Sequence, residues 1–270
     1  MIRPSWDRRI RRAEELAKKY PFAAEILEFY RGIACFQQDL HAQFASTHGA
    51  GVRRSDGGFL REELDVDSLL PTFSSLLALV QKIGSPSLAR SAHELSAHGR
   101  HAWKNLLGAY LTSGGNGQTP EDSEIFFARA FLQPYAEFLA AKEAPPAGDY
   151  RWPVCSVCRG KPQVGVLRPE GDGAKRSLIC SICSNEWDYR RIVCPACEEE
   201  DEKKLAVYLA NDFDYVRVET CETCKTYIKT VDLTKNGLAV PVVDELATIP
   251  LNLWAQENGY AKLQTNLLGI

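Results

Sequence analysis

Eight of the nine cysteines in this chain fall in four C-x-x-C pairs: Cys155/Cys158, Cys180/Cys183, Cys194/Cys197 and Cys221/Cys224. A C-x-x-C turn sets two sulfurs on one side of a tight knuckle, within reach of a single ion, and two such knuckles complete a tetrahedral four-sulfur site. The spacing assigns partners. The gap is 21 residues between the first two pairs, 10 between the second and third, and 23 between the last two. The near-equal long gaps group Cys155, Cys158, Cys180 and Cys183 into one site and Cys194, Cys197, Cys221 and Cys224 into another, so two metal ions per chain are expected. The competing chemistries for these residues are disulfide formation and thiol exchange.

The elements that must carry the knuckles read as a doubled hairpin. Between the first two pairs lie Val164, Val166 and Leu167, the turn Glu170-Gly171-Asp172-Gly173, then Leu178 and Ile179. Between the last two lie Leu205, Val207, Tyr208 and Leu209, a turn near Asn211-Asp212, then Tyr215, Val216 and Val218. Alternating apolar residues bounded by turn formers mark antiparallel strands. Trp187 and Tyr189 follow the first closing pair, and Tyr227 and Ile228 follow the second. This is a zinc-ribbon or rubredoxin-like plan. Each unit is roughly 40 residues, a size at which a hydrophobic core seldom suffices alone. A structural four-sulfur site supplies on the order of 10–16 kcal/mol of apparent binding free energy, which is also folding free energy.

The N-terminal half reads as helical. Residues 5–19 have Ser5 as a cap and Trp6, Ile10, Ala13, Leu16 and Ala17 at helical spacing. Pro21 interrupts, and a second helix carries Ile26, Leu27, Phe29, Tyr30, Ile33, Ala34, Phe36 and Leu40 as its apolar positions, with Cys35 as a small core residue. Loops are expected from His48 to Gly58 and at Ser113 to Gly117, and helices over 66–83, 85–98 and 100–112. A last helix starts near Pro120 and runs through Phe126, Phe131 and Phe138; Pro134 is expected to bend or split it. The fold class is therefore α+β. A helical domain (1–144) and a linker (145–150) precede two metal-ribbon units (151–190 and 191–235). A helical tail (236–270), with Asp244 to Ala247 and Pro250 opening turns and Gly259 closing them, ends the chain.

No catalytic set is recognisable. The five histidines, His41, His48, His93, His98 and His101, all lie in the helical half without metalloprotease spacing and read as surface or helix-end residues. The loop at Gly114-Gly115 lacks the Gly-Lys-Ser/Thr ending of a phosphate loop. No apolar run is long enough to span a membrane, and the charged start from Met1 to Lys19 does not read as a secretory signal. Paired cysteines without such a signal point to a reducing cytoplasm. The net charge of −3 falls wholly on residues 145–270, because residues 1–144 balance 17 basic against 17 acidic groups. Eight thiolates against two divalent ions take off four further charges, leaving about −7 on the C-terminal half. That charge opposes phosphate binding, so no nucleic-acid partner is expected; Trp187, Arg190 and Arg191 are the best residues such a partner would have.

The cysteine half resembles a known family. Pro153 to Cys158, Leu178 to Cys183, Glu186-Trp187, Arg191 to Cys197, Cys221 to Thr230, Asp244 to Thr248, Leu253 to Ala255 and Gly259-Tyr260 are similar to the formate dehydrogenase formation protein family, FdhE. The resemblance implies a cytoplasmic accessory protein, not an enzyme, that assists maturation of the catalytic subunit of a membrane-bound formate dehydrogenase. It implies rubredoxin-like metal binding, with iron or zinc held by the eight cysteines. One departure stands out. Rubredoxin knuckles favour Gly just after the second Cys, where the chain needs positive φ; here Arg159, Ser184, Glu198 and Lys225 occupy those places. The alternatives are a rubredoxin-like redox protein and a nucleic-acid-binding zinc ribbon.

Overall fold

A computed structural model describes residues 5–47, 65–112, 122–143 and 150–270. A helical region is followed by a mixed β-sheet region with two four-cysteine clusters and C-terminal helices, an α+β architecture. The expected loops at 48–58 and 113–117, the linker around Pro145 and Pro146, and His48 lie outside the described residues. The chain divides into two compact units. One comprises Met1–Arg31 with Ala144–Leu268 and Ile270, the other Gly32–Glu143 with Gly269.

The second of these units is built from the later part of α2 (Ala24–Thr47) with α3 (Val66–Ile83), α4 (Pro86–Thr112) and α5 (Asp122–Ala141). Its core is aromatic: Phe73 meets Phe131 and Trp103 edge-on, and Phe44 meets Tyr135 and Phe138. The two expected helices over 85–112 meet at Gly99, whose φ of 73° and ψ of −175° break the helical geometry. Trp103 Nε1 donates to the carbonyl of Leu95 at 2.7 Å across that break. Pro134 does not divide α5. A proline has no N–H for the carbonyl four residues back, and that carbonyl, on Ala130, instead accepts from Gln37 Nε2 at 2.8 Å. Cys35, expected in the core, is half-buried, and His93, His98 and His101 are exposed.

The other unit holds the sheet. Its strands are β1 (Pro162–Glu170), β2 (Gly173–Cys180), β3 (Glu186–Asp188), β4 (Val207–Leu209), β5 (Val216–Cys221), β6 (Thr226–Asp232) and β7 (Ala261–Lys262). Both halves follow one plan, hairpin then third strand, giving β3-β2-β1 and β6-β5-β4. They join into a single sheet because β1 and β6 pair in parallel, Gly165 opposite Thr230. Glycine is required there: a Cβ on residue 165 would lie 2.3 Å from Thr230 Oγ1. The short β7 pairs in parallel with the start of β6, at Thr226 and Tyr227, on the flank that β1 takes up further along.

Two short helices late in the chain pack on this sheet, and the first helix packs on one of them. Helix α1 (Trp6–Lys19) starts at Ser5, whose Oγ accepts from the Arg8 N–H. It packs on α6 (Pro241–Ala247), which leads into α7 (Ile249–Glu257), ended by Asn258 and Gly259 at φ 81°. The joint is a fully buried Asp244. Arg12 donates to it through Nη2 (2.6 Å) and Nε (3.0 Å), Tyr215 through its hydroxyl (2.8 Å) and Val240 through its N–H (2.6 Å). A buried carboxylate is tolerable only when paired and hydrogen-bonded in this way. Beside it, buried Glu245 pairs with Lys229 (2.9 Å) and Lys262 and accepts from Asn266 (2.6 Å), tying α6 to β6 and to the chain end. Burial pushes Glu245 up, but the charges of Lys229 and Lys262 hold it down at about 2.

Candidate metal centres

All eight paired cysteines come together in the two groups that the spacing assigns. In each group the four sulfurs lie within 4.8 Å of one another. Cys155 and Cys158 lie in the turn before β1, Cys180 ends β2 and Cys183 lies in the turn that follows. Cys194 and Cys197 lie in the turn before the second hairpin, Cys221 ends β5 and Cys224 lies in the turn leading to β6. Among the described residues, the groups able to hold a metal contain no histidine.

Each knuckle reverses the chain within six residues. Cys155 N–H donates to Gly160 O, Cys180 N–H to Asn185 O and Cys194 N–H to Glu199 O, each at 2.9 Å, and Cys221 pairs with Thr226 as β5 turns into β6. Inside the turn, the N–H of Arg159, Glu198 and Lys225 reaches the carbonyl of the first cysteine at 2.9–3.0 Å. So tight a reversal needs one left-handed residue, and it is always the one after the second cysteine. Arg159 (φ 62°), Ser184 (φ 49°), Glu198 (φ 60°) and Lys225 (φ 54°) are the non-glycine residues with positive φ among those described. The fold thus imposes the glycine conformation on four side-chain-bearing residues, at a cost of roughly 1–2 kcal/mol each.

The reward is sulfur geometry. The N–H groups of Val157, Ile182 and Ala196 point at Cys155, Cys180 and Cys194 sulfurs at 3.3–3.4 Å. Sulfur separations are 3.3, 3.5 and 3.6 Å in the first group and 3.7 Å twice in the second. A tetrahedron with metal–sulfur bonds of about 2.3 Å has edges of about 3.8 Å. The donor set, its spacing and the backbone N–H groups on sulfur therefore fit a tetrahedral thiophilic ion.

Electrostatics agree with that fit. Burial pushes the Cys180 and Cys183 thiols well above their ordinary range, and their thiol neighbours push them further. Burial also opposes ionisation of Cys155, but hydrogen bonds from the other three thiols outweigh it and hold Cys155 well below its usual value. Four close sulfurs cannot all ionise unaided, and a divalent cation removes that conflict. At Cys224 burial is outweighed by the Thr226 hydroxyl (2.9 Å from the sulfur) and backbone, which bring the thiol down to about 7.

The two centres differ in cover. All four cysteines of the first are buried, whereas Cys197 is exposed and Cys224 half-buried in the second. The second has an extra clasp that the spacing did not reveal. Glu199, beside one knuckle, accepts from Thr223 Oγ1 (2.5 Å) within the other and from Lys204 Nζ (3.3 Å). The Thr223 hydroxyl, the Asp201 N–H and Lys204 hold the Glu199 carboxyl at about 2. Its only sequence signal was an acid two residues beyond Cys197.

Residues 180–268 match the family described as "FdhE, C-terminal domain", a stretch that contains both pairs of the second centre and one pair of the first. A relative from Aquifex aeolicus, "Protein FdhE homolog", is 29% identical across 96% of this chain and 94% of its own length. A relative of the same description from Pseudomonas aeruginosa is 37% identical over 123 residues, 43% of this chain and 39% of its own. Among solved structures, the crystal structure of the FdhE protein from Pseudomonas aeruginosa aligns with a TM-score of 0.76 and 25% identity, covering 99% of this chain and 97% of that one.

Proposed function

This chain belongs to the FdhE family, and from that premise we propose that it is a cytoplasmic accessory protein in the formation of a formate dehydrogenase. Its partner is the catalytic subunit of that enzyme, held while partly folded. The observation that carries this reading is the likeness to FdhE proteins over nearly the whole chain, joined to two four-sulfur groups set in one sheet. The ligands are Cys155, Cys158, Cys180 and Cys183 for one ion and Cys194, Cys197, Cys221 and Cys224 for the other, with iron or zinc as the metal. When bound, each ion locks two knuckles together and so fixes the surfaces on either side of them. Among the described residues no helix is long and apolar enough to cross a membrane.

Co-purification tests the reading. A tagged chain is expected to retain the formate dehydrogenase catalytic subunit from cells that make it. A tight, salt-sensitive complex with DNA or RNA in its place overturns it. A rubredoxin-like redox role is the second reading, favoured by the four left-handed knuckle residues and by the exposure of Cys197. The visible spectrum of anaerobically purified protein separates the metals: red ferric–thiolate absorption keeps the redox role, and a colourless, metal-loaded protein removes it.

A further inference from the structure

The sheet face beside the second sulfur group contains a cavity of about 450 Å3 whose wall includes Cys194 and Cys221. Two chemistries line it. Ile192, Leu205, Val207, Ile228 and Leu263 are apolar, and both Ile192 and Val207 are 52% exposed. The polar part is an Arg–Glu–Arg set. Arg176, only 2% exposed, donates through Nη2 to Glu219 Oε2 (2.6 Å) and through Nη1 to the carbonyls of Arg190 (2.9 Å) and Val193 (3.2 Å). Its Nε is buried with no hydrogen-bond partner. The other Glu219 oxygen accepts from Arg217 Nε at 3.1 Å. One carboxylate is thus divided between two guanidinium groups, and the remaining charges on the lining, Arg191 and Glu202, cancel. Apart from the sulfurs, the lining carries three arginines against two glutamates, and Arg217 is the partly exposed arginine of the Arg–Glu–Arg set, the one a docking carboxylate can reach.

An open sheet edge adjoins it. Strand β4 ends the sheet, and all three of its residues are exposed. Thr220 N–H donates to Ala206 O (2.9 Å) and Glu222 N–H to Lys204 O (2.8 Å). By antiparallel alternation the even-numbered residues face β5, so the N–H and C=O of Val207 and Leu209 point outward. Leu209 is 61% exposed. An edge of this kind, apolar and unpaired, is a template for an added strand.

We propose that the β4 edge and this cavity form a strand-addition site for an extended, carboxylate-bearing segment of a client polypeptide. An apolar side chain of the segment seats against Ile192 and Val207, and an acidic one two residues away meets Arg217, which Arg176 and Glu219 hold in place. The inference rests on the reading that the chain holds a partly folded client, and it names the surface that does so.

The test uses the full chain with the metal it is purified with. The probe is a dye-labelled peptide, Thr-Val-Thr-Glu-Thr-Val-Thr, followed by fluorescence anisotropy. Its lysine-for-glutamate counterpart is expected to bind weaker by about tenfold or more. Arg217→Glu is expected to reverse that preference, and Val207→Pro, which removes an outward N–H at an exposed position, to abolish binding of both. Unchanged metal content shows that each variant is folded. Failure of the unsubstituted chain to bind, equal binding of both peptides, or indifference to both substitutions overturns the site. Capture of the catalytic subunit separates the two claims. If both variants capture it as well as the parent chain does, the site falls while the accessory role stands. If the parent captures none yet discriminates between the peptides through Arg217, the accessory role falls while the site stands.

Discussion

The first sulfur group is enclosed by its own half of the sheet: all four cysteines are buried, and Gly160 packs so closely that a Cβ there would come within 2.9 Å of Cys180 Sγ. The second repeats the knuckles, the left-handed residues and the hairpin, yet leaves Cys197 exposed and borders a cavity. Local sequence therefore sets how four sulfurs are arranged, and the packing of distant elements sets how far they are shielded. On the proposed reading, the shielded centre supports the fold and the open one also lies beside the surface where a client docks.

The largest expected contrast comes from removing one ligand of each. Cys183→Ala leaves three buried thiols without their ion and takes away a share of roughly 10–16 kcal/mol of coupled folding free energy. Because β1 pairs with β6, the loss should spread through the whole sheet, and limited proteolysis should cut throughout residues 150–270. Cys197→Ala should lose one ion and become sensitive near residues 191–226 only. Chelator competition should tell the same story in the unmodified chain, with two phases of metal release and the second centre emptying first. A single phase, or equal proteolysis of the two variants, breaks the comparison.

Arg12→Ala should sharpen it. The substitution strands the buried Asp244 carboxylate, a change that costs about 3–5 kcal/mol when one partner of a buried pair is removed. Asp244 also holds Tyr215, immediately before β5, the strand that delivers Cys221. Urea denaturation should report the loss, and chelation of the second centre should speed up more than that of the first.

That pair marks where sequence reading ends. The cysteine grouping, both hairpins and the Gly99 break were legible because each rests on contacts within about 30 residues, where spacing and turn chemistry dominate. Arg12 and Asp244 are 232 residues apart, so no periodicity links them, and α1 read simply as part of a helical half. The rescue of Pro134 by Gln37 was hidden for the same reason. The parallel join of β1 to β6 was equally invisible, although Gly165 inside an apolar strand hinted at a close approach.

Gly165→Val tests that join. The added branch would meet Thr230 Oγ1 at the seam between the repeats, and overpacking of this kind costs about 1–3 kcal/mol. Since the seam belongs to both halves, chelation of the two centres should accelerate alike. A change confined to one would mean that the repeats are stabilised independently.

The smallest effect should carry the opposite sign. Glu198 is exposed and left-handed, next to Cys197 in the open centre, while Ser184 is 4% exposed and left-handed beside the enclosed one. Glycine relieves roughly 1–2 kcal/mol of left-handed strain and gives back about 0.5–1 kcal/mol through the freedom of the unfolded chain. Glu198→Gly removes a side chain that stands in solvent, so relief should prevail, raising the urea midpoint and slowing metal loss from the second centre. Ser184→Gly also empties space inside a packed wall, which offsets the relief and should leave stability nearly unchanged. If instead the two substitutions act equally, cover makes no difference at the level of a single knuckle. The contrast between the centres would then arise only from the elements that close over them.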